Sequence, residues 1–268
     1  MLDDGELARR SLRGYGEALA ALGRCSAGAA AELRTPHALG ARCPTLPHSP
    51  WLAAVVVLDA DAAPPAEETE QDALPCCVWS LAPHLVRGRV HDPALVMPLM
   101  GCALDAAAAA AAAAAAVEGV GAAYELCEPS FAEVAALNAS VWDEPQHGAY
   151  AAVLGALGAD ESARTLGLRA RQQGGGALAC GAVTLTLGDD AGVHHVATDG
   201  AHRRRGLASA LVSAMLARAA AAGARTATRQ ACAEGARLYA ALGFRTLGTL
   251  RGFRRPDDAQ ASARTADA

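Results

Sequence analysis

Apolar residues recur along the first stretch of the chain at mostly three- and four-residue spacing: Leu7, Leu12, Tyr15, Leu19 and Leu22. That is the period of a helix with one buried stripe, so a helix is predicted over 4–22, with Gly23 as its stop. Pro36, Pro44, Pro47 and Pro50 follow, and they are read as excluding regular structure from 35 to 50. Three short apolar runs come next, 51–58, 76–81 and 95–104. Rich in Val and Leu and bounded by Pro and Asp, each suits a buried strand. The acidic stretch 59–71, with Pro64 and Pro65, reads as a loop.

An eleven-alanine run, 106–116, interrupts this order. Ala is the best intrinsic helix former, but a run of it has no amphipathic face for packing to fix, so a helical or frayed connector is expected there. The run also marks the expected boundary between an N-terminal non-catalytic α/β domain (1–117) and a second domain (118–256), followed by a disordered polar tail (257–268). Beyond the run the punctuation becomes regular. A strand is predicted over 122–128, a helix opened by Pro129 and Ser130 that runs to Trp142, and a second helix over 148–157. The segments 165–171 and 177–187 alternate with period two and read as a hairpin turning through Gly174, Gly175 and Gly176. A strand over 192–198 leads into a helix over 204–222, whose Leu207, Leu211 and Met215 stand four apart. A strand (224–230), a helix (233–242) stopped by Gly243 and a last strand (244–250) complete the order. Helices alternating with strands in this way place the chain in the α/β class.

Composition narrows what such a chain does. The 268 residues carry a net charge of −5, which argues against a protein whose main business is neutralising nucleic-acid phosphates. There is no Lys and no Ile, and the only Asn is Asn138, so every basic residue is Arg. The first sixteen residues are acidic and then basic with no apolar core, unlike a secretory signal, and no apolar run reaches the length needed to span a bilayer. The eight Cys (25, 43, 76, 77, 102, 127, 180 and 232) form no C-x-x-C pair, so no metal site is expected and a reduced, cytoplasmic protein is the economical inference. Monomer and homodimer are equally compatible with the chain.

The most specific segment is His194-His195-Val196-Ala197-Thr198-Asp199-Gly200-Ala201-His202-Arg203-Arg204-Arg205-Gly206-Leu207-Ala208, which runs strand, loop, helix. A loop turning through glycine into a helix start gathers unpaired backbone N–H groups at one point, and such a nest binds phosphate or pyrophosphate. Three Arg at a helix N-terminus oppose the helix dipole, so an anion explains them better than solvation does. The segment is neither G-x-x-x-x-G-K nor G-x-G-x-x-G.

Arg203, Gly206 and Ala208 in their order resemble the Q/R-x-x-G-x-G/A pyrophosphate motif of the GCN5-related N-acetyltransferase (GNAT) superfamily. Downstream, Tyr239-Ala240-Ala241-Leu242-Gly243-Phe244 matches that superfamily's Tyr-x-x-x-Gly-Phe, and the likeness spans about 122–252. The resemblance implies a mixed, mainly antiparallel sheet flanked by helices and split where acetyl-CoA enters, with transfer of acetyl to a primary amine of a small molecule or peptide. It further implies that Val196, Ala197 and Thr198 line the cosubstrate beside Arg203, Arg204, Arg205, Gly206, Leu207 and Ala208. A backbone N–H near Val196 then serves as oxyanion donor, and Tyr239 protonates the departing sulfur. Many relatives carry Glu where this chain has His194 and His195, either of which is a candidate base, and a bulge would decide which faces the cleft. Relatives place Ser or Asn where Cys232 stands, and a thiol is a poorer acceptor for capping the next helix. No second R-x-x-G-x-G/A occurs before residue 120, so 1–117 reads as a degenerate copy or as an unrelated α/β domain. Two other readings remain: an acyl-CoA sensor that binds without turnover, and an Arg-run contact to nucleic acid, which the net charge disfavours.

Overall fold

The computed structural model describes residues 3–58, 75–81, 88–142, 146–171 and 176–258. The expected loop at 59–71, two of the three turn glycines and all of the tail beyond 258 lie outside the described residues.

Helix α1 (Asp4–Cys25) starts where Asp3 accepts the N–H of Glu6, and it buries the stripe read from the sequence. Strands β1 (Ala31–Arg34), β2 (Ala38–Arg42), β3 (Ala54–Val57), β4 (Cys77–Ser80) and β5 (Val90–Ala103) follow. The expectation that 35–50 holds no regular structure is corrected by β2. Pro36 and Pro44 flank it without entering it, so its five residues keep every backbone donor and pair antiparallel with both β1 and β3.

The alanine run forms helix α2 (Ala106–Gly119), capped by the Asp105 carboxylate, which accepts the N–H of Ala108. Its own residues offer little to pack, yet Ala113 is buried, and Ala116, Val117 and Val120 lie against the core beside α5. The chain then runs through β6 (Tyr124–Cys127), α3 (Phe131–Val141), α4 (His147–Gly155), β7 (Ala163–Ala170), β8 (Leu178–Leu187), β9 (Asp190–Thr198), α5 (Leu207–Ala221), β10 (Thr226–Gln230), α6 (Ala233–Ala241) and β11 (Arg245–Arg254). Ser130 and Glu133 close a capping box at the start of α3. Helix α5 begins at Leu207 rather than at the expected Arg204, because Arg204 (φ 62°) and Gly206 (φ 78°) are left-handed and cannot be helical.

All strands join one sheet in the order β1-β2-β3-β4-β11-β5-β10-β9-β8-β7-β6. Its neighbours are antiparallel except β3 with β4 and β9 with β10. Strand β5, from the first part of the sequence, lies between β10 and β11 from the second, antiparallel to both. Alternation along β5 serves two cores. Leu99 faces α1, α3 and α4, whereas Met100 faces α2, α5 and α6. The sheet is therefore mixed, mainly antiparallel and covered by helices on both faces.

Candidate active site

Strands β9 and β10 run together for only three residue pairs, Asp190 with Thr226 through Gly192 with Thr228, and then part. The short contact is pinned from within. The buried Asp190 carboxylate accepts hydrogen bonds from the hydroxyls of Thr226 and Thr228, each at 2.6 Å. Burial nonetheless raises the Asp190 carboxyl above the usual range. Past this point β10 continues along β5, so a cleft opens between β9 and β10.

On the β9 wall the ladder to β8 slips. Gly181 pairs with Ala197 and Val183 with His194, so His195 and Val196 together oppose Ala182. This is a bulge, and His195 takes the left-handed conformation (φ 53°) that makes it. Asn138 on α3 holds the distortion in place, its amide donating to the His195 carbonyl at 2.9 Å and to the Val134 carbonyl at 3.1 Å. The slip breaks the regular pairing of β9 with β8 at Val196, the position from which the resemblance implies an oxyanion donor. Val196 is half-buried against the second core, Ala197 is buried, and the Thr198 hydroxyl lies 3.1 Å from the Cys180 thiol.

The loop after β9 is built around Asp199, whose side chain accepts the Ala201 N–H at 2.9 Å. The Arg203 Nε donates to the Thr198 carbonyl. Arg205 reaches the Tyr124 hydroxyl at 3.0 Å and the Ala201 carbonyl at 3.2 Å, and that same hydroxyl stands 2.9 Å from His202 Nδ1. Arg204 and Gly206 then turn the backbone into α5. Among the described residues, the N–H groups from Arg204 to Ser209 have no acceptor in the chain. Arg203 to Gly206 are exposed, so this nest opens to solvent; the Leu207 side chain is buried in the core and can offer only its N–H, and Ala208 is half-buried.

Tyr239 of α6 lies in the core beside the cleft, its ring edge-on to Phe244 at 5.5 Å and under the Arg229 guanidinium at 4.1 Å. Burial pushes its phenol up to about 12. His194 is buried, facing the same side as Gly192, where an added Cβ would stand 2.5 Å from its Nε2. Burial, with smaller contributions from His195 and Arg229, lowers His194 to about 3; burial and then Arg229 lower His195 to about 4. Cys232 caps α6 through its sulfur, accepting the Gly235 N–H at 3.3 Å. Five participants escaped the sequence reading: Tyr124, Asn138, Asp190, His202 and Arg229. Asn138 alone carried a signal, as the chain's only Asn set on an apolar helix face. Among the described residues no helix is long and apolar enough to cross a membrane, and no three His, Cys, Asp or Glu side chains are grouped to hold a metal.

Residues 167–246 match a family described as "Acetyltransferase (GNAT) domain". No curated protein matches the sequence. Among solved structures the chain resembles a GCN5-related N-acetyltransferase from Kribbella flavida (TM-score 0.55, 15% identity, 91% of this chain and 95% of that one). It also resembles a Novosphingobium aromaticivorans protein assigned to the GNAT family (TM-score 0.52, 21% identity, 93% and 96%). A third is a tandem GNAT protein from the clavulanic acid biosynthesis pathway (TM-score 0.52, 14% identity, 91% and 94%). At these identities the structural likeness speaks for the fold, and it extends over both halves of the chain.

Proposed function

From the premise that residues 167–246 form a GNAT acetyltransferase domain, we propose that the protein transfers an acetyl group from acetyl-CoA to a primary amine of a small molecule or peptide. The observation that carries this reading is a juxtaposition. Strands β9 and β10 part after Gly192 and Thr228, the His195 bulge lies on the β9 side of the parting, and the loop leaving β9 carries a nest of unpaired N–H groups at Arg204–Ser209. The nest suits a diphosphate, with Arg203 and Arg204 exposed beside it, and the bulge suits a thioester carbonyl.

In the reaction the amine lone pair attacks the thioester carbon, the carbonyl oxygen gains charge against a backbone N–H of the bulge near Val196, and the C–S bond then breaks with its electron pair on sulfur. Tyr239 stays protonated up to about pH 12 and donates a hydrogen bond, and finally a proton, to that sulfur. A free alkyl amine near pKa ~10 cannot pass its proton efficiently to an imidazole that titrates near 4, so the histidines act on an amine already neutral, or relay its proton through water. Burial is the main cause that holds both imidazoles neutral, and a site this desolvated also favours the neutral form of a bound amine. In this reading residues 1–117 are a degenerate second copy, supported by the full-length likeness to a tandem protein.

The test is release of free CoA thiol from acetyl-CoA with and without a broad amine panel, preceded by a thermal shift with CoA. Thermal stabilisation by CoA and amine-dependent thiol release are expected. Stabilisation without turnover on any amine would leave a binding protein, and no stabilisation would remove the reading.

A further inference from the structure

Arg229 is the first residue of β10 beyond its last pair with β9, so it stands at the throat of the cleft. Its Nε and Nη1 are sealed from solvent and have no hydrogen-bond partner. Among the described residues no carboxylate forms an ion pair with it, and its one close partner is the face of the Tyr239 ring. The two histidines feel its charge, and among the described residues neither has an acidic neighbour to offset it. The His194 Nε2 is likewise buried without a partner. Three basic side chains thus converge where no described residue supplies an anion. A cation with sealed, unpaired donors is stable only where something completes its hydrogen bonds, and a planar guanidinium is best completed by a carboxylate. Nη2, which is not among the sealed atoms, is the position that meets it first.

We propose that Arg229 receives a carboxylate carried by one of the two reactants, either at the end of the acyl group or on the amine acceptor. This rests on the acyl-transfer reading above. It deepens that reading by making the substrate an acid as well as an amine or a thioester. The carboxylate neutralises the throat, so the same arrangement that repels a bare ammonium accepts an amino acid or a dicarboxylic half-thioester.

The experiment compares matched probes on the full chain. One arm sets succinyl-CoA against butyryl-CoA. The other sets leucine against 3-methylbutylamine, and γ-aminobutyrate against butylamine, with acetyl-CoA present. The variants are wild type, Arg229→Met and Arg229→Lys, read by dissociation constant and by kcat/KM for thiol release. The wild type is expected to favour the carboxylate probe by roughly 10- to 100-fold in one arm, and that arm identifies the source. Arg229→Met is expected to erase the preference and Arg229→Lys to keep part of it. No preference in either arm, or a preference that survives in Arg229→Met, overturns the proposal. Should Arg229→Met not fold, the wild-type imidazole titrations decide: the favoured probe is expected to raise the His195 midpoint, and an unmoved midpoint refutes the proposal. If CoA itself fails to bind the wild type, acyl transfer and this proposal fall together, whereas CoA binding without carboxylate preference removes the proposal alone.

Discussion

At the scale of single residues, burial and missing partners change the chemistry of several groups beside the cleft. Tyr239 is buried and its phenol is raised, so it is a hydrogen-bond donor at every physiological pH. Tyr239→Phe is therefore expected to lower kcat by about 10²-fold or more while leaving the CoA dissociation constant within about twofold, measured by thiol release and calorimetry. Asn138 touches no reactant in this account. It holds the His195 carbonyl, and Asn138→Ala leaves that carbonyl and the Val134 carbonyl without their side-chain donor at a cost of about 1–3 kcal/mol. Denaturant unfolding should show that loss, and kcat should fall further than KM changes as the bulge relaxes. Tyr239 was legible in the sequence because a short motif carries it. Arg229 was not, because its significance comes from what fails to surround it, and an unpaired charge has no linear signature.

At the scale of elements, the loop between β9 and α5 is where sequence and structure agree most closely in substance and differ in detail. The spacing of Arg203, Gly206 and Ala208 picked out the nest, but helical periodicity carried the helix three residues too far, since it does not register a left-handed Arg204. Likewise the prolines around β2 read as breakers although they only bracket a five-residue strand. The parting of β9 from β10 and the slip in β9 against β8 depend on pairing register, which a single sequence does not display. Gly206→Val tests the nest. A branched residue at φ 78° is strained by about 1–2 kcal/mol, and its side chain intrudes on the N–H groups. The expected outcome is at least a roughly tenfold weaker CoA affinity by calorimetry, with far-UV dichroism unchanged.

At the scale of the whole molecule, the insertion of β5 between β10 and β11 makes the two halves of the chain mutually dependent. A fragment of residues 118–258 would leave β11 without a partner on either edge and β10 without one on its β5 side, so it is expected to be insoluble or to lack a cooperative transition, and co-expression with residues 3–117 should restore one. Acid should weaken the intact protein in a defined window. His194 and His195 titrate near 3 and 4 when folded and near the ordinary 6.5 when unfolded, so between pH 6.5 and 4 the unfolded chain binds two protons that the native one refuses. Stability is thus fully present above pH 6.5 and is lost as pH falls, by up to about 1.4 kcal/mol per pH unit for each histidine, as chemical denaturation at stepped pH would show. All of this converges on one claim, that the opened sheet and the loop beside it form a single binding site for a CoA thioester. A crystal structure of the complex with CoA tests it most directly. In that complex the diphosphate is expected on the N–H groups of Arg204 to Ser209 and the pantetheine arm between β9 and β10, its sulfur beside Tyr239. CoA bound elsewhere, or a closed sheet with those N–H groups already paired, would contradict it.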